Sequence, residues 1–189
     1  MRSKHLTLAG LLLAASFAVQ AAGPADCPAL LRQTLPRLQD EKPVDLCGWR
    51  GQVLLVVNTA SFCGYTEQYK ALEALHARLQ PRGLVVLGFP SNDFGQQEPG
   101  SNADIAAFCE STFGVRFPMF AKSRVVPAAG AALNPLYAQL IAQTGQAPRW
   151  NFHKYLIGRD GRQVSSWPSA VTPDDPAFAK EIEKLLKTK

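Results

Sequence analysis

Two apolar runs, VLLVV at 53–57 and LVVLGF at 84–89, set the strongest limit on the fold. Each is a short, continuous block of branched aliphatic residues, the composition of a strand covered on both faces. Between them, Tyr69, Leu72, Leu75 and Leu79 recur at helical spacing, with Glu67, Lys70, Glu73 and Arg78 on other faces. Pro81-Arg82-Gly83 stops that helix. Strand, helix, strand at this length calls for two parallel strands joined by a right-handed crossover.

The rest of the chain adds to this unit. After a loop dense in Gly, Pro and amides (PSNDFGQQEPG), Ser101 is placed to cap a helix running to about Ser111, with Asp104 three residues on. Residues 115–120 are extended, 122–134 form a loop, and Pro135 to Gln143 make another helix. FHKYLI and QVSSW flank an Asp160-Gly161 turn as a hairpin. Thr172-Pro173 then carries a cap and a first-turn proline for the last helix. The order βαβ…αββα fits an α/β, thioredoxin-like core: a central mixed sheet flanked by helices, with an insertion between its halves.

The N-terminus carries an export signature. Arg2 and Lys4 precede an apolar run from Leu6 to Val19, followed by small residues at 19 and 21. We expect cleavage near Ala21/Ala22, an arm over 22–50, a domain over 51–189 and a periplasmic location. Asp26 disfavours a lipid-anchored start at Cys27. Loss of Arg2 and Lys4 lowers a net charge of only +5. No basic stripe interleaves with aromatics, so nucleic acid is not an expected partner.

An exported chain meets oxidising conditions, where paired cysteines are the default. Of the four, Cys27 opens the arm and Cys47 lies just before the first core strand. We expect these two to form a disulfide, contributing about 3 kcal/mol through loop closure. Cys63, in NTASFCGYTEQY, falls in the turn between the first core strand and its helix. Unpaired N–H groups and the helix dipole favour a thiolate there. Cys63 has no near partner: Thr66 stands where a disulfide exchanger has its second cysteine, and Glu67 where a copper carrier has one. A solitary activated thiolate suits attack on an electrophile such as a peroxide O–O bond.

Three stretches, VVNTASFCGYTEQY, GFPSNDFGQQEPGSN and RWNFHKYLIGRDG, resemble the motifs of the glutathione peroxidase family in its cysteine form, and the resemblance runs from about Gly51 to the C-terminus. It implies a thiol peroxidase acting on hydrogen peroxide and organic or lipid hydroperoxides through a sulfenic acid. Cys63 matches the nucleophile, and Gln97, Trp150 and Asn151 match the N–H donors that support the thiolate and the departing oxygen. Cys109 is either the resolving thiol or a buried core cysteine, since it lies one position earlier than in the plant-type pattern. Ser91 and Asp93 depart from the FPCNQFG of several relatives.

By the same resemblance the reductant is glutathione or a thioredoxin-type protein, with no metal, selenium or other cofactor. The short stretch from Phe120 to Trp150 implies a monomer with an open site. The rival is a thioredoxin-fold redox sensor or thiol-binding protein that does not turn over.

Overall fold

The computed structural model describes residues 27–188. The export segment over 1–21 and the first residues of the arm lie outside the described residues. Ten regular elements follow in order: β1 (Thr34–Pro36), β2 (Pro43–Asp45), β3 (Val53–Thr59), α1 (Gln68–Leu79), β4 (Leu84–Pro90), α2 (Asn102–Phe113), α3 (Pro135–Thr144), β5 (Lys154–Ile157), β6 (Val164–Trp167) and α4 (Pro176–Lys187). Short 3-10 turns flank β1, β2 and α1.

The main sheet has the order β4-β3-β5-β6. β3 and β4 are parallel, pairing Val53 with Leu84 through Thr59 with Pro90. β5 runs antiparallel to both β3 and β6, so the sheet is mixed. Every residue of β3, β4 and β5 is buried, as strands covered on both faces must be. Alternation splits the core in two. Val53, Leu55 and Val57 pack with Tyr69, Leu72, Leu75 and Leu79 of α1 and with Phe178, Ile182 and Leu185 of α4. Leu54 and Val56 face the other way, against Leu136, Tyr137 and Leu140 of α3 and the arm's Leu30, Leu31 and Leu35.

Two boundaries differ from the sequence reading. The last helix begins at Pro176, not at Thr172-Pro173, because Asp175 caps it by accepting from the main-chain N–H groups of Ala177 and Phe178. A second difference lies in the arm, where β1 and β2 form a small antiparallel hairpin beside the main sheet. Cys27 and Cys47 are bonded, with their Cα atoms 5.6 Å apart, which ties the start of the arm to the turn before β3. α2 carries the reciprocal cap read from its sequence. Ser101 Oγ accepts from Asp104 N–H, and the Asp104 carboxylate accepts from Ser101 N–H.

Candidate active site

Thr59 ends β3 at the carboxyl edge of the sheet, where loops of an α/β fold converge. From Ala60 to Glu67 the chain makes successive turns before α1 begins at Gln68, so Cys63 sits five residues ahead of the regular helix. Buried Thr66 fixes that turn. Its hydroxyl donates to Ala60 O at 2.9 Å and accepts from Cys63 N–H at 3.0 Å. The N–H of Tyr65 points at Cys63 Sγ, 3.4 Å away. The thiol is half-buried, with Phe62 beside it 66% exposed.

Gln97 reaches this turn through the main chain: Phe62 N–H donates to Gln97 O at 3.0 Å. Its side chain is held in turn by Asn151, whose Nδ2 donates to Gln97 Oε1 at 2.9 Å. That leaves the Gln97 amide N–H groups free to donate elsewhere. Asn151 is fully buried, while Trp150 is 39% exposed. Gly95 sits between Gln97 and Trp150: a Cβ there would lie 3.5 Å from each side chain, and the left-handed φ of +60° also suits glycine. Phe94 adds a ring contact to Trp150 at 5.9 Å.

Asn58 of β3 secures the third motif. Its Nδ2 donates to Trp150 O at 3.1 Å, and its carbonyl accepts from Phe152 N–H at 2.6 Å. Phe152 carries a left-handed φ of +61°, unusual for an aromatic and evidence that its surroundings dictate the backbone. The structure thus brings Gln97, Trp150 and Asn151 together and ties them to the turn bearing Cys63.

Cys109 stands apart, buried in the α1–α4 core, where Cys63 packs at its margin. Burial pushes its thiol up to about 11, with the nearby Tyr69 hydroxyl pulling it down and the charge of Glu98 raising it. Asp93 has a structural use. Its carboxylate accepts from the N–H groups of Val125 and Val126 at 2.7 and 3.2 Å and pairs with Arg124 at 3.2 Å, pinning the loop before α3.

Two buried ionisable residues escaped the sequence reading. Glu98, next to Gln97, is 1% exposed. Burial pushes its carboxyl up to about 7, although the Ser61 hydroxyl and N–H and the charge of Lys122 pull the other way. Among the described residues its Oε2 has no hydrogen-bond partner. Lys154, three residues beyond Asn151, is fully buried. Their place inside motifs was the available signal, but neither period nor charge pattern marks them as buried.

Two hollows are walled by chain neighbours of Cys63, one by Ser61 and Phe62 and the other by Tyr65. One, of about 350 Å³, is lined by Ser61, Phe62, Glu98, Ile105 and Phe108 among others and is largely apolar. The other, a cleft of about 770 Å³, is lined by Tyr65, Gln146, Arg149, His153 and Ser169 among others.

Comparison with known proteins agrees with this geometry. A family model described as glutathione peroxidase matches residues 32–141. The chain is 45% identical over 157 residues to the hydroperoxy fatty acid reductase gpx1 of Synechocystis, covering 78% of this chain and 90% of that protein. It is 41% identical over 160 residues to the thioredoxin/glutathione peroxidase BtuE of Escherichia coli, covering 72% and 86%. Among solved structures, Trgpx in apo form superposes with a TM-score of 0.67 at 33% identity, covering 85% of this chain and 97% of that one. By the extent of these matches, this chain belongs to the glutathione peroxidase family.

Proposed function

We propose that the protein is a thiol-dependent peroxidase with Cys63 as its nucleophile. The Cys63 thiolate attacks the terminal oxygen of a hydroperoxide and the O–O bond breaks, so that Cys63 becomes a sulfenic acid and the departing alkoxide or hydroxide takes up the proton released on ionisation of the thiol, leaving as the alcohol or water. Amide and indole N–H groups of Gln97, Asn151 and Trp150 stabilise the charge growing on the departing oxygen. None of the three titrates near neutrality, so their donor character is constant through the cycle. A thiol then condenses with the sulfenic acid, releasing water, and a second thiol reduces the resulting disulfide. The observation that carries this reading is the pair of bonds, Asn151 to Gln97 and Phe62 to Gln97, that joins two of the three donors to the Cys63 turn.

The Synechocystis relative is named for fatty acid hydroperoxides and the E. coli relative for thioredoxin and glutathione. We extend both to this chain. The apolar hollow beside Phe62, Ile105 and Phe108 suits an organic hydroperoxide, and the reductant is glutathione or a thioredoxin-type protein. Cys109 acts as resolving thiol only through an opening of α2, since it is buried and its thiol is held protonated. Export to an oxidising compartment is supported by the N-terminal signature and by the Cys27–Cys47 bond. The short stretch from Phe120 to Trp150 supports a monomer.

The test is peroxide consumption by purified protein supplied with glutathione or with thioredoxin and its reductase. We expect many turnovers from wild type and none above background from Cys63→Ser. Equal rates would overturn the assignment, and a single stoichiometric oxidation would favour a sensor.

A further inference from the structure

Lys154 has no part in the chemistry above, yet it is fully buried, a setting in which an ammonium needs compensation. It opens β5 opposite Val57 of β3 and shares its face of the sheet with Leu156, toward α1 and α4. Nζ donates to Phe152 O at 2.7 Å and to Ser169 O at 3.4 Å. Both are neutral carbonyls, and among the described residues no carboxylate lies within 4 Å of it. Burial alone pushes the amine down to about 7.

Both carbonyls belong to the frame of the site. Phe152 is the left-handed residue that follows Asn151. Ser169 O also accepts from Nε2 of Gln68, the first residue of α1, at 2.8 Å. Ser169 shares the wall of the larger cleft with Tyr65, whose N–H points at Cys63 Sγ. The ammonium therefore lies beneath the same sheet edge as the thiol, linked to it through the start of α1.

We propose that Lys154 is a positioning residue for Cys63, its buried ammonium holding the Phe152 turn behind Asn151 and finding its counter-charge in the Cys63 thiolate. This rests on the reading of Cys63 as the nucleophile. Opposite charges in a poorly solvated region favour one another's ionised forms, and the coupling is reciprocal.

Among the described residues, the groups next to the ammonium in the chain and across the cleft are neutral or cationic, and Cys109, in the same core, is a thiol held protonated by burial. His153 is its neighbour in the chain, with Nε2 2.8 Å from Ser166 Oγ. Burial, then the charges of Lys154 and Arg149, push that ring down to about 4, so it is neutral at working pH. Arg149 is exposed in the cleft wall and cationic, and Tyr65 brings a phenol. From α1, Gln68 is uncharged, and Glu67 pairs with Lys70 at the surface. From α4, Phe178 and Ile182 face this core.

The test compares Lys154→Met and Lys154→Arg with wild type, reading the pH dependence of Cys63 alkylation by iodoacetamide and the rate of its oxidation by hydrogen peroxide. We expect Lys154→Met to move the alkylation midpoint upward by about one pH unit and to slow both reactions about tenfold at neutral pH. Lys154→Arg should recover much of the loss. A folded Lys154→Met protein with an unchanged midpoint would overturn the proposal. Should that variant not fold, the reciprocal measurement serves: the titration of Lys154 followed by carbon-13 NMR in wild type and Cys63→Ser. A midpoint that falls in Cys63→Ser supports the coupling, and an identical one sinks it. Alkylation and NMR read the charge pair whether or not peroxide turns over. A coupled pair in a protein without peroxidase activity would therefore remove the function and leave the pairing.

Discussion

Replacing Glu98 with glutamine should flatten part of the pH dependence of stability. In the folded protein the carboxyl sits at about 7, against an ordinary 4.5, because burial disfavours its charge. Between those values the native state holds a proton that the unfolded chain releases, so stability falls as pH rises from about 4.5 to 7. Below that window the carboxyl is neutral in both states and the penalty is absent. Above it the full penalty applies. A gap of about 2.5 at about 1.4 kcal/mol per pH unit comes to about 3 kcal/mol. Glutamine is close to isosteric and never ionises. The carboxylates whose pKa is lowered in the fold, such as Asp104 and Asp160, titrate below this window and are common to both proteins. Urea unfolding followed by circular dichroism at intervals from pH 4.5 to 8 isolates the difference. We expect wild type to lose about 3 kcal/mol relative to Glu98→Gln across that range, most of it before pH 7. Parallel curves would refute the claim that Glu98 is buried without adequate compensation.

Three further perturbations test the frame of the site. Thr66→Val removes the hydroxyl that bridges Ala60 O and Cys63 N–H, so thermal unfolding should show a loss of about 1–3 kcal/mol and peroxide oxidation of Cys63 should slow. Joint replacement of Cys27 and Cys47 by serine should cost about 3 kcal/mol in urea unfolding, the loop-closure value for a separation of 20 residues, with oxidation of Cys63 little changed. Asp93→Asn weakens the hold on Val125, Val126 and Arg124, which should lower stability by about 1–3 kcal/mol in the same assay while leaving the initial rate with hydrogen peroxide near that of wild type.

The sheet and its crossover were readable because β3 and β4 are uninterrupted apolar runs, and a strand buried on both faces needs nothing else. α2 was readable because its cap is local, with Ser101 and Asp104 satisfying each other across one turn. The start of the last helix is ambiguous in the sequence because the chain offers two start signatures in succession. Thr172-Pro173 and Asp175-Pro176 both pair a capping side chain with a proline, and in the fold Asp175 is the one whose carboxylate accepts from the first helical N–H groups. The β1–β2 hairpin went unread because its three-residue strands contain prolines and too little alternation to register. In the site, the motifs carried Cys63, Gln97, Trp150 and Asn151. The supports beneath them depend on contacts far apart in the chain. Asn58 meets the main chain 92 positions away at Trp150, and Gln68 meets Ser169 at a distance of 101. Glu98 and Lys154 run against the usual siting of charge, so composition points the wrong way for both.

The proposed chemistry depends most on the three uncharged donors accelerating oxidation of Cys63. Stopped-flow fluorescence can give the second-order rate constant of that step with hydrogen peroxide in wild type and in a Gln97→Ala, Asn151→Ala double variant, with iodoacetamide alkylation as a control on thiol access. We predict that oxidation falls by about 10²–10³-fold while alkylation changes far less, since iodide departure does not use the oxygen-holding donors. Equal oxidation rates in a folded double variant would contradict it.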